Sequence, residues 1–301
     1  MILKQIQYVI TLAESGSFAK AADSLGITQP SLSQYVKKLE QQLGVELFDR
    51  TGGTVRLTDA GRIYIDAGRK ILEIDHQMHG DFNDLSSQKL GTIVVGTTPY
   101  RSASMMPLIA KKFSELYSGM HLVIEELPSN ELEDATERGQ FDVCLTMLPI
   151  NTHIFQYEKI SEEELLLAVP KSFAQPTSEP VPNRKYPSID ATELNGMPFV
   201  MITESQYMQR ALDNLAIDHQ LKLKKAAVVK SLEAQIAMVR SGVGMALLPS
   251  GIERFCSPNE VCFYSLKQEL PKREVVVMWK KDRHLNNATI SLLQTIRSIQ
   301  W

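Results

Sequence analysis

The stretch SFAKAADSLGITQPSLSQYVKKLEQQLGVELFDR, residues 17–50, decides the fold of the amino-terminal part of this chain. Its apolar residues recur at the spacing i, i+3, i+4, i+7 in two successive runs, which predicts two short amphipathic helices. The first run consists of Phe18, Ala21, Ala22 and Leu25, and the second of Leu32, Val36, Leu39 and Leu43. Because Gly26 and Ile27 separate the runs, we expect a tight turn between the helices.

Local signals place both ends of the second helix. Thr28 is a good N-cap residue, and Pro30 sits in the first turn, where its missing N–H costs nothing. Gly44 follows the last periodic residue as a C-terminal stop. The helix thus begins at an end rich in Gln and Ser, which is the end that a recognition helix presents to base edges.

The polar face of this helix carries hydrogen-bonding groups and two lysines but no carboxylate. Its members are Gln29, Ser31, Ser33, Gln34, Lys37, Lys38 and Gln41. Such a face suits a DNA groove edge and its phosphates. An ordinary helical hairpin with a hydrated polar face would show the same periodicity, but the caps and the position of the polar end favour DNA reading.

The segment after this helix predicts a wing. Phe48 is a candidate apolar anchor, and two short extended runs follow between residues 49 and 57, around Gly52 and Gly53. Arg50 and Arg56 lie on the two arms of this hairpin.

Together these residues resemble the amino-terminal winged helix-turn-helix of the LysR-type bacterial transcriptional regulators. The pattern FxxxAAxxLGITQPSLSxxVKKLExxLGxxLFDR continues into RLTDAG at residues 56–61 with its spacing kept. One position that is often Arg or Lys in the family is Gly53 here, which leaves Arg50 and Arg56 to contact the minor groove. The resemblance implies DNA contacts from Ser17, Thr28, Gln29, Pro30, Ser31, Ser33, Gln34, Lys37, Arg50 and Arg56.

Length and charge fit a regulator of this type. A chain of 301 residues is expected to form about two or three compact units. Residues 1–58 hold six Lys and Arg against five Asp and Glu, a net charge of +1, while the whole chain carries −3. Non-specific attraction of one copy to DNA is therefore weak, and we expect several copies to bind together.

The next segment, residues 58–85, predicts a long helix with an apolar stripe at heptad-like spacing. The stripe consists of Ala60, Ile63, Ala67, Ile71, Ile74, Met78, Phe82 and Leu85. It could pack only on its own domain, but a winged helix already has a core of three helices, so a second copy is the simpler partner. In the LysR family this linker helix pairs two subunits. His76 and His79 could bind a metal, although without further ligands nearby an exposed polar helix end is the better interpretation.

From residue 86 a linker leads into alternating short apolar strands and helices, which predict an α/β unit with mainly parallel strands. Strands are expected at 92–96, 121–127, 141–148 and 164–170, with a helix over 129–138. A second α/β unit has strands near 199–202, 226–229, 245–248 and 261–264, and helices near 205–215 and 231–241. The last strand at 274–279 and the final helix could return to either unit. In the family they rejoin the first.

The resemblance thus implies an α/β multidomain protein with a C-terminal periplasmic-binding-protein-like domain of two subdomains. We expect a winged helix-turn-helix at 1–58, a linker dimerisation helix at 59–89 and an effector-binding domain at 90–301. Subdomain I would comprise 91–162 and 268–301, and subdomain II 163–267.

Ligands of such sheets bind at the carboxyl ends of the strands. Candidate effector contacts are Thr97, Thr98, Pro99, Tyr100, Arg101, Ser102, Ser129, Thr146, Thr203, Val243 and Gly244. The first six lead into a helix N-terminus, which favours an anion, with Arg101 as its counter-ion. Each Ser or Thr could equally be a simple helix cap, and their convergence in a cleft rests on the resemblance. In SGVGMALLP, residues 241–249, the helix precedes the glycines, which is the wrong order for a dinucleotide loop.

Other classes of protein fit less well. A solute-binding receptor would lack residues 1–58 and carry an export signal, and an enzyme would need a nucleophile or acid and base set such as GxSxG or HExxH. Cys144, Cys256 and Cys262 are too few and irregular for a disulfide scaffold, and a redox pair of Cys256 and Cys262 matches the peroxide sensors of the family poorly. We therefore expect a cytoplasmic regulator without a cofactor, metal or membrane contact. Its partners would be double-stranded promoter DNA, a small-molecule effector, further copies of itself as a dimer or tetramer, and RNA polymerase.

Overall fold

In the computed structural model, the described residues are 2–50, 55–85, 91–182, 185–203, 207–270 and 272–301. The wing tip with Gly52 and Gly53, and the expected linker at 86–90, lie outside them. The same holds for the side chains of His76 and His79.

The amino-terminal unit is a bundle of three helices with a small hairpin. The helices are α1 (Ile2–Ser15), α2 (Phe18–Ser24) and α3 (Gln29–Leu43), and strand β1 (Phe48–Asp49) pairs antiparallel with β2 (Arg56–Leu57). The core is built from Leu12, Ala21, Leu32, Val36 and Phe48. The two amphipathic helices, the hairpin and Phe48 as anchor are confirmed.

Both ends of α3 lie where the sequence predicts them. Pro30 occupies the first turn, and Gly44 takes the left-handed conformation at φ 72°. Thr28 is the N-cap residue, but its hydroxyl lies 2.8 Å from the Ser31 hydroxyl and makes no capping bond. Leu43 was wrongly placed on the apolar face: it is 44 % exposed at the helix end, because Leu47 closes the core beyond it.

A single helix, α4 (Asp59–Leu85), continues from the hairpin. Its inner face packs on α1, and Gly68 makes this close approach possible, since a Cβ there would lie 2.7 Å from Ile6 Cγ2. Its outer face exposes Ile63, Ile74 and Phe82 to solvent. The predicted helix is confirmed. Ile63, Ala67, Ile71, Ile74, Met78 and Phe82 of its apolar stripe are exposed, whereas Ala60 packs against the amino-terminal core and the side chain of Leu85 lies outside the described residues.

The remaining elements form two α/β units. In chain order they are β3 (Gly91–Thr97), α5 (Pro99–Ser104), α6 (Met106–Leu116), β4 (Met120–Glu126), α7 (Leu132–Glu137), β5 (Val143–Met147), β6 (Phe155–Glu163), β7 (Leu165–Pro170), β8 (Ser188–Ile189), β9 (Pro198–Ile202), α8 (Tyr207–Asp218), β10 (Lys224–Val229), α9 (Leu232–Arg240), β11 (Ala246–Pro249), β12 (Val261–Leu266), β13 (Arg273–Lys280) and α10 (Asn287–Arg297).

We call subdomain I the sheet β4-β3-β5-β13-β6 with α5, α6, α7 and α10, and subdomain II the strands β7 to β12 with α8 and α9. The carboxyl-terminal strand thus rejoins the first unit, as the family resemblance implies. The chain crosses between the subdomains twice, once from β6 to β7 and once from β12 to β13.

The expectation of mainly parallel strands holds for β3, β4 and β5 but not for the sheets as a whole, in which parallel and antiparallel pairings are mixed. In subdomain I, β3 pairs in parallel with β4 and β5, whereas β13 runs antiparallel to both β5 and β6. In subdomain II, β7 pairs antiparallel with both β11 and β12, whereas β9 pairs in parallel with β10 and β8 with β12. The crossing strands return the chain to its first sheet in the opposite direction, and apolar alternation carries no information about strand direction.

None of the helices in the described ranges is both long and apolar enough to cross a membrane.

Candidate functional site

The polar end of α3 faces solvent. Thr28, Gln29, Pro30, Ser31, Gln34 and Lys37 are exposed, and Ser33 and, on the turn before α2, Ser17 are half-buried. The side chains that Leu32, Val36 and Leu39 bury lie on the other side of the helix. A face of amides, hydroxyls and one lysine is therefore presented at the helix N-terminus, where the backbone N–H groups also point outward.

A carboxylate of α3 that the sequence analysis missed is turned inward. Glu40 is buried, and its Oε1 accepts hydrogen bonds from the backbone N–H of Leu47 at 2.9 Å and of Phe48 at 3.2 Å. Its Oε2 accepts from Arg50 Nη2 at 2.7 Å. Glu40 thus ties the end of α3 to the start of the wing and leaves the exposed polar face of α3 free of its charge. Its position directly after buried Leu39 is the signal that could have located it.

The two wing arginines differ in their surroundings. Arg50 is engaged with Glu40, and its guanidinium also lies 5.2 Å from the centre of the Phe18 ring. Its side chain remains 39 % exposed, so a phosphate would have to compete with Glu40 for it. Arg56, on β2, is exposed.

The linker helix, α4, contacts both α1 of the amino-terminal unit and β13 of subdomain I. Arg69 Nη2 donates to Glu14 Oε1 of α1 at 3.0 Å. One turn on, Glu73 accepts from Lys280 Nζ of β13, with oxygen distances of 3.4 and 3.5 Å. Gly139 allows this approach, since a Cβ there would lie 2.6 Å from Glu73 Cδ. The linker helix therefore bridges the amino-terminal unit and subdomain I.

The candidate effector residues at the end of β3 make hydrogen bonds within subdomain I. Thr97 is fully buried and donates to the Leu145 carbonyl at 3.1 Å. The Thr98 hydroxyl accepts from the Arg101 N–H at 3.4 Å and caps α5, which agrees with the simple helix-cap interpretation. Since α5 spans only six residues, its N-terminus is a weak site for an anion.

Four side chains converge between the subdomains, in what we call the hinge cluster: Tyr100, Arg101, Glu163 and Arg273. Glu163 Oε2 lies 3.1 Å from Arg101 Nη2 and 4.0 Å from Arg273 Nη1, and Tyr100 Oη lies 3.4 Å from Glu163 Oε1. Arg101 and Arg273 are 2 % and 6 % exposed. Arg101, the counter-ion that the sequence suggests for an effector, is paired with Glu163 here.

Among the charged residues of this cluster, Arg273 has the fewest hydrogen bonds to its charged group. Its Nη2 donates to the Met147 sulfur, while its Nε and Nη1 make no hydrogen bond with the described residues. Burial, and next the positive charge of Arg101, lower the pKa of Arg273 to about 10. The Tyr207 ring of subdomain II lies 5.5 Å from its guanidinium. Sequence reasoning missed both Glu163 and Arg273, because only the long-range pairing of β6 with β13 brings them together.

Contacts across the cleft hold the subdomains together near this cluster. Tyr100 is packed into the core of subdomain II, and burial raises the pKa of its phenol. Arg254, from the 3₁₀ turn Ser250–Phe255, donates to the Ser104 carbonyl of α5 at 3.0 Å. The cleft is thus closed at this end.

The other candidate effector residues are scattered around the cleft. Pro99 is exposed in the first turn of α5, Ser102 is half-buried, and Thr146 is buried in β5. Ser129 and Val243 are exposed, and Thr203, at the end of β9, is half-buried. Gly244 is explained by packing, since a Cβ there would lie 2.9 Å from the Pro198 carbonyl oxygen. Among the hydrogen bonds of the described residues, none joins Ser129, Thr203 or Val243 to the hinge cluster.

Comparison with known proteins finds two family matches along the chain. Residues 3–62 match the family described as bacterial regulatory helix-turn-helix protein, lysR family, and residues 86–300 match the LysR substrate binding domain. The regulator AlsR of Bacillus subtilis (strain 168) is 26 % identical, with 94 % of this chain and 92 % of AlsR aligned.

Solved structures share the whole architecture. The LysR family regulator CbnR superposes with a TM-score of 0.72 at 19 % identity, over 99 % of this chain and 98 % of CbnR. Full-length CbnR in complex with its target DNA gives a TM-score of 0.68 at 19 % identity, with 99 % of each chain covered.

The fold, the helix-turn-helix and the matched domains lead to one conclusion: this chain belongs to the LysR family and is a DNA-binding transcriptional regulator with an effector-binding domain, not an enzyme.

Proposed function

We propose that this regulator recognises specific promoter sequences through the amino-terminal end of α3. The observation that carries the proposal is the polar face around exposed Gln29 and half-buried Ser33, while the carboxylate of Glu40, toward the other end of α3, is turned inward. Amide side chains can bond base edges in the major groove, and hydroxyls and lysines can bond phosphates. The proposed contacts are Ser17, Thr28, Gln29, Pro30, Ser31, Ser33, Gln34, Lys37, Arg50 and Arg56, with Arg50 limited by its pair with Glu40.

The protein would bind DNA as a dimer joined through α4, or as a pair of such dimers. The support is the apolar stripe on the outer face of α4, where Ile63, Ile74 and Phe82 are 72 %, 66 % and 56 % exposed. Since the stripe faces away from α1, a second linker helix can cover it without disturbing the domain core. Pairing also supplies the affinity that one weakly basic copy lacks.

The effector would be a small anionic metabolite bound in the cleft between the subdomains. The hinge cluster supports this, because two buried guanidinium groups share one carboxylate. The expected cleft residues are Thr97, Thr98, Pro99, Tyr100, Arg101, Ser102, Ser129, Thr146, Thr203, Val243 and Gly244. Effector binding would change how the subdomains close, and with it the spacing of the two recognition helices on DNA and their influence on RNA polymerase.

Within this scheme the amino-terminal domain comprises 1–58, the linker helix 59–89 and the effector-binding domain 90–301. Subdomain I takes 91–162 and 268–301, and subdomain II 163–267. A regulator of promoters works where the chromosome is accessible, so we place it in the cytoplasm.

Retardation of DNA from upstream of its own gene tests the proposal. Replacing Gln29 and Ser33 by Ala should weaken specific binding by about 100-fold, since each lost base contact is worth roughly 1–3 kcal/mol. The matched control changes Gln42, which is exposed at the far end of α3 and lies outside this polar face, to Ala and should leave binding unchanged. Undiminished retardation by the Gln29 and Ser33 variant would refute the proposed reading surface.

A further inference from the structure

We propose that Arg273 anchors a buried binding site for a small monocarboxylate at the hinge between the two subdomains. This inference rests on the proposed effector function and goes beyond it by naming the anchor residue, the charge of the ligand and the place where binding acts. Arg101, the counter-ion suggested by the sequence, has a different task in this arrangement, which is to hold Glu163.

The position of Arg273 makes it part of the hinge itself. It is the first residue of β13, and it lies directly opposite Glu163, the last residue of β6, in their antiparallel ladder. After Glu163 the chain enters subdomain II at Leu165, the first residue of β7. It leaves subdomain II at Leu266, the last residue of β12, before it reaches Arg273. A group bound between Arg273 and its surroundings therefore acts at the point about which the subdomains can move.

The excess positive charge of the hinge cluster favours the binding of an anion. Arg101 and Arg273 are both buried, and among the described residues Glu163 is the carboxylate that they share, which leaves one positive charge in excess within that set. Glu163 is nearer to Arg101, at 3.1 Å, than to Arg273, at 4.0 Å. A buried charge without a hydrogen-bonded partner is costly, and Arg273 retains two nitrogens, Nε and Nη1, whose N–H groups have no acceptor among the described residues.

The surroundings define the class of ligand. One excess charge matches a ligand with a single negative charge, and N–H donors of guanidinium favour an oxyanion such as a carboxylate. The Met147 side chain and the Tyr207 ring stand next to the guanidinium and favour a small apolar body behind the carboxylate. Because Arg273 is 6 % exposed with the cleft closed, the ligand would enter when the contacts of Tyr100 with subdomain II and of Arg254 with Ser104 open.

Thermal unfolding of the full-length protein in sodium acetate, with sodium chloride at equal ionic strength as reference, tests the site. Acetate should raise the unfolding midpoint of the unaltered protein in a saturable way, because a ligand that binds only the folded state stabilises it. Arg273→Met should abolish this rise. Its midpoint without acetate should equal or exceed that of the unaltered protein, since an uncompensated buried charge has been removed.

Two further variants separate an anion site from a structural role. Glu163→Gln removes the internal competitor for Arg273, so the dissociation constant for acetate should fall by about tenfold. Arg240→Met removes an exposed arginine that pairs with Glu260 on the surface of subdomain II, and the response to acetate should persist. If Arg273→Met fails to fold, Glu163→Gln decides: tighter acetate binding supports the site, and equal or weaker binding overturns it.

The inference is overturned if acetate has no effect beyond chloride on the unaltered protein, or if Arg273→Met keeps the response. A simple structural role would instead show Arg273→Met strongly destabilised without acetate. Promoter retardation by the same preparations distinguishes the two proposals. Retained DNA binding without an acetate response removes only the hinge site, whereas failure of the unaltered protein to retard promoter DNA removes the proposed function.

Discussion

Lys280 of β13 and Glu73 of the linker helix are bonded to each other, with Nζ to oxygen distances of 3.4 and 3.5 Å. Lys280 is the last residue of the strand that begins at Arg273. A strand of this length spans roughly 23 Å, and β13 is held between β5 and β6, so it is a stiff element. One strand therefore connects the hinge between the subdomains to the helix that carries the DNA-binding domain.

We predict that Lys280→Ala loosens the docking of the linker helix on subdomain I. The pair is partly buried, at 23 % and 14 % side-chain exposure, so its loss should cost about 1 kcal/mol. Hydrogen exchange of the full-length protein should become faster around Glu73, while α2 and α3 stay protected. Lys281→Ala, a change in the exposed neighbour, is the control. Unchanged exchange in α4 would show that Lys280 does not hold the helix.

The outer stripe of α4 provides a second prediction. Ile63→Asp combined with Ile74→Asp places two charges at positions that are 72 % and 66 % exposed in one chain. The isolated fold should tolerate them, but a paired linker helix should not, because the charges would be buried at the seam. Sedimentation should show a smaller species with weakened promoter binding. Asp66→Asn, on the same helix but off the stripe, should change neither, and a double variant that stays fully assembled would contradict pairing through α4.

Glu40 allows a prediction about the amino-terminal domain alone. Glu40→Ala leaves two backbone N–H groups and Arg50 without their buried acceptor, so local stability should fall by about 3 kcal/mol. Hydrogen exchange of α3 in the full-length protein measures this loss. Glu46→Ala, an exposed carboxylate in the following turn, serves as the control. Equal protection of α3 in the Glu40 variant would show that the local stability does not depend on Glu40.

The three cysteines, all free, should differ in reactivity. Burial raises the pKa of the Cys144 thiol to about 12, so at neutral or mildly alkaline pH it stays protonated and shielded. Cys256 and Cys262 are half-buried and within reach of a reagent. Titration with a disulfide reagent should therefore modify two thiols in the native protein and all three after unfolding. Modification of Cys144 in the native protein would contradict its position in the sheet.

Most of the amino-terminal structure could be predicted from local sequence patterns. Pro30, Gly44 and the apolar spacing place α3, and a heptad-like stripe places α4, because helix ends and faces depend on residues a few positions apart. Glu40 could not be assigned in this way, since its partners Leu47 and Phe48 are brought to it only by the folded turn.

Fewer features of the cleft between the subdomains could be predicted from the sequence. Strand β6 was not predicted, because an edge strand with Lys159 and Glu162 on its surface lacks the apolar run that marks a buried strand. Because β6 was not predicted, the pairing of Glu163 with Arg273 could not be predicted from the sequence either. Arg101 was recognised from its place after β3, but its partner was not, and the charge of the site changes once Glu163 is included.

Selection of binding sites from a pool of random duplex DNA by the full-length protein tests most directly whether this regulator reads sequence as a paired molecule. We predict enrichment of one motif with two inverted half-sites, their centres about 10 base pairs or a multiple of that apart, since two recognition helices related by a twofold axis reach the same face of DNA. Enrichment of an unpaired motif, or of no motif at all, would contradict the account.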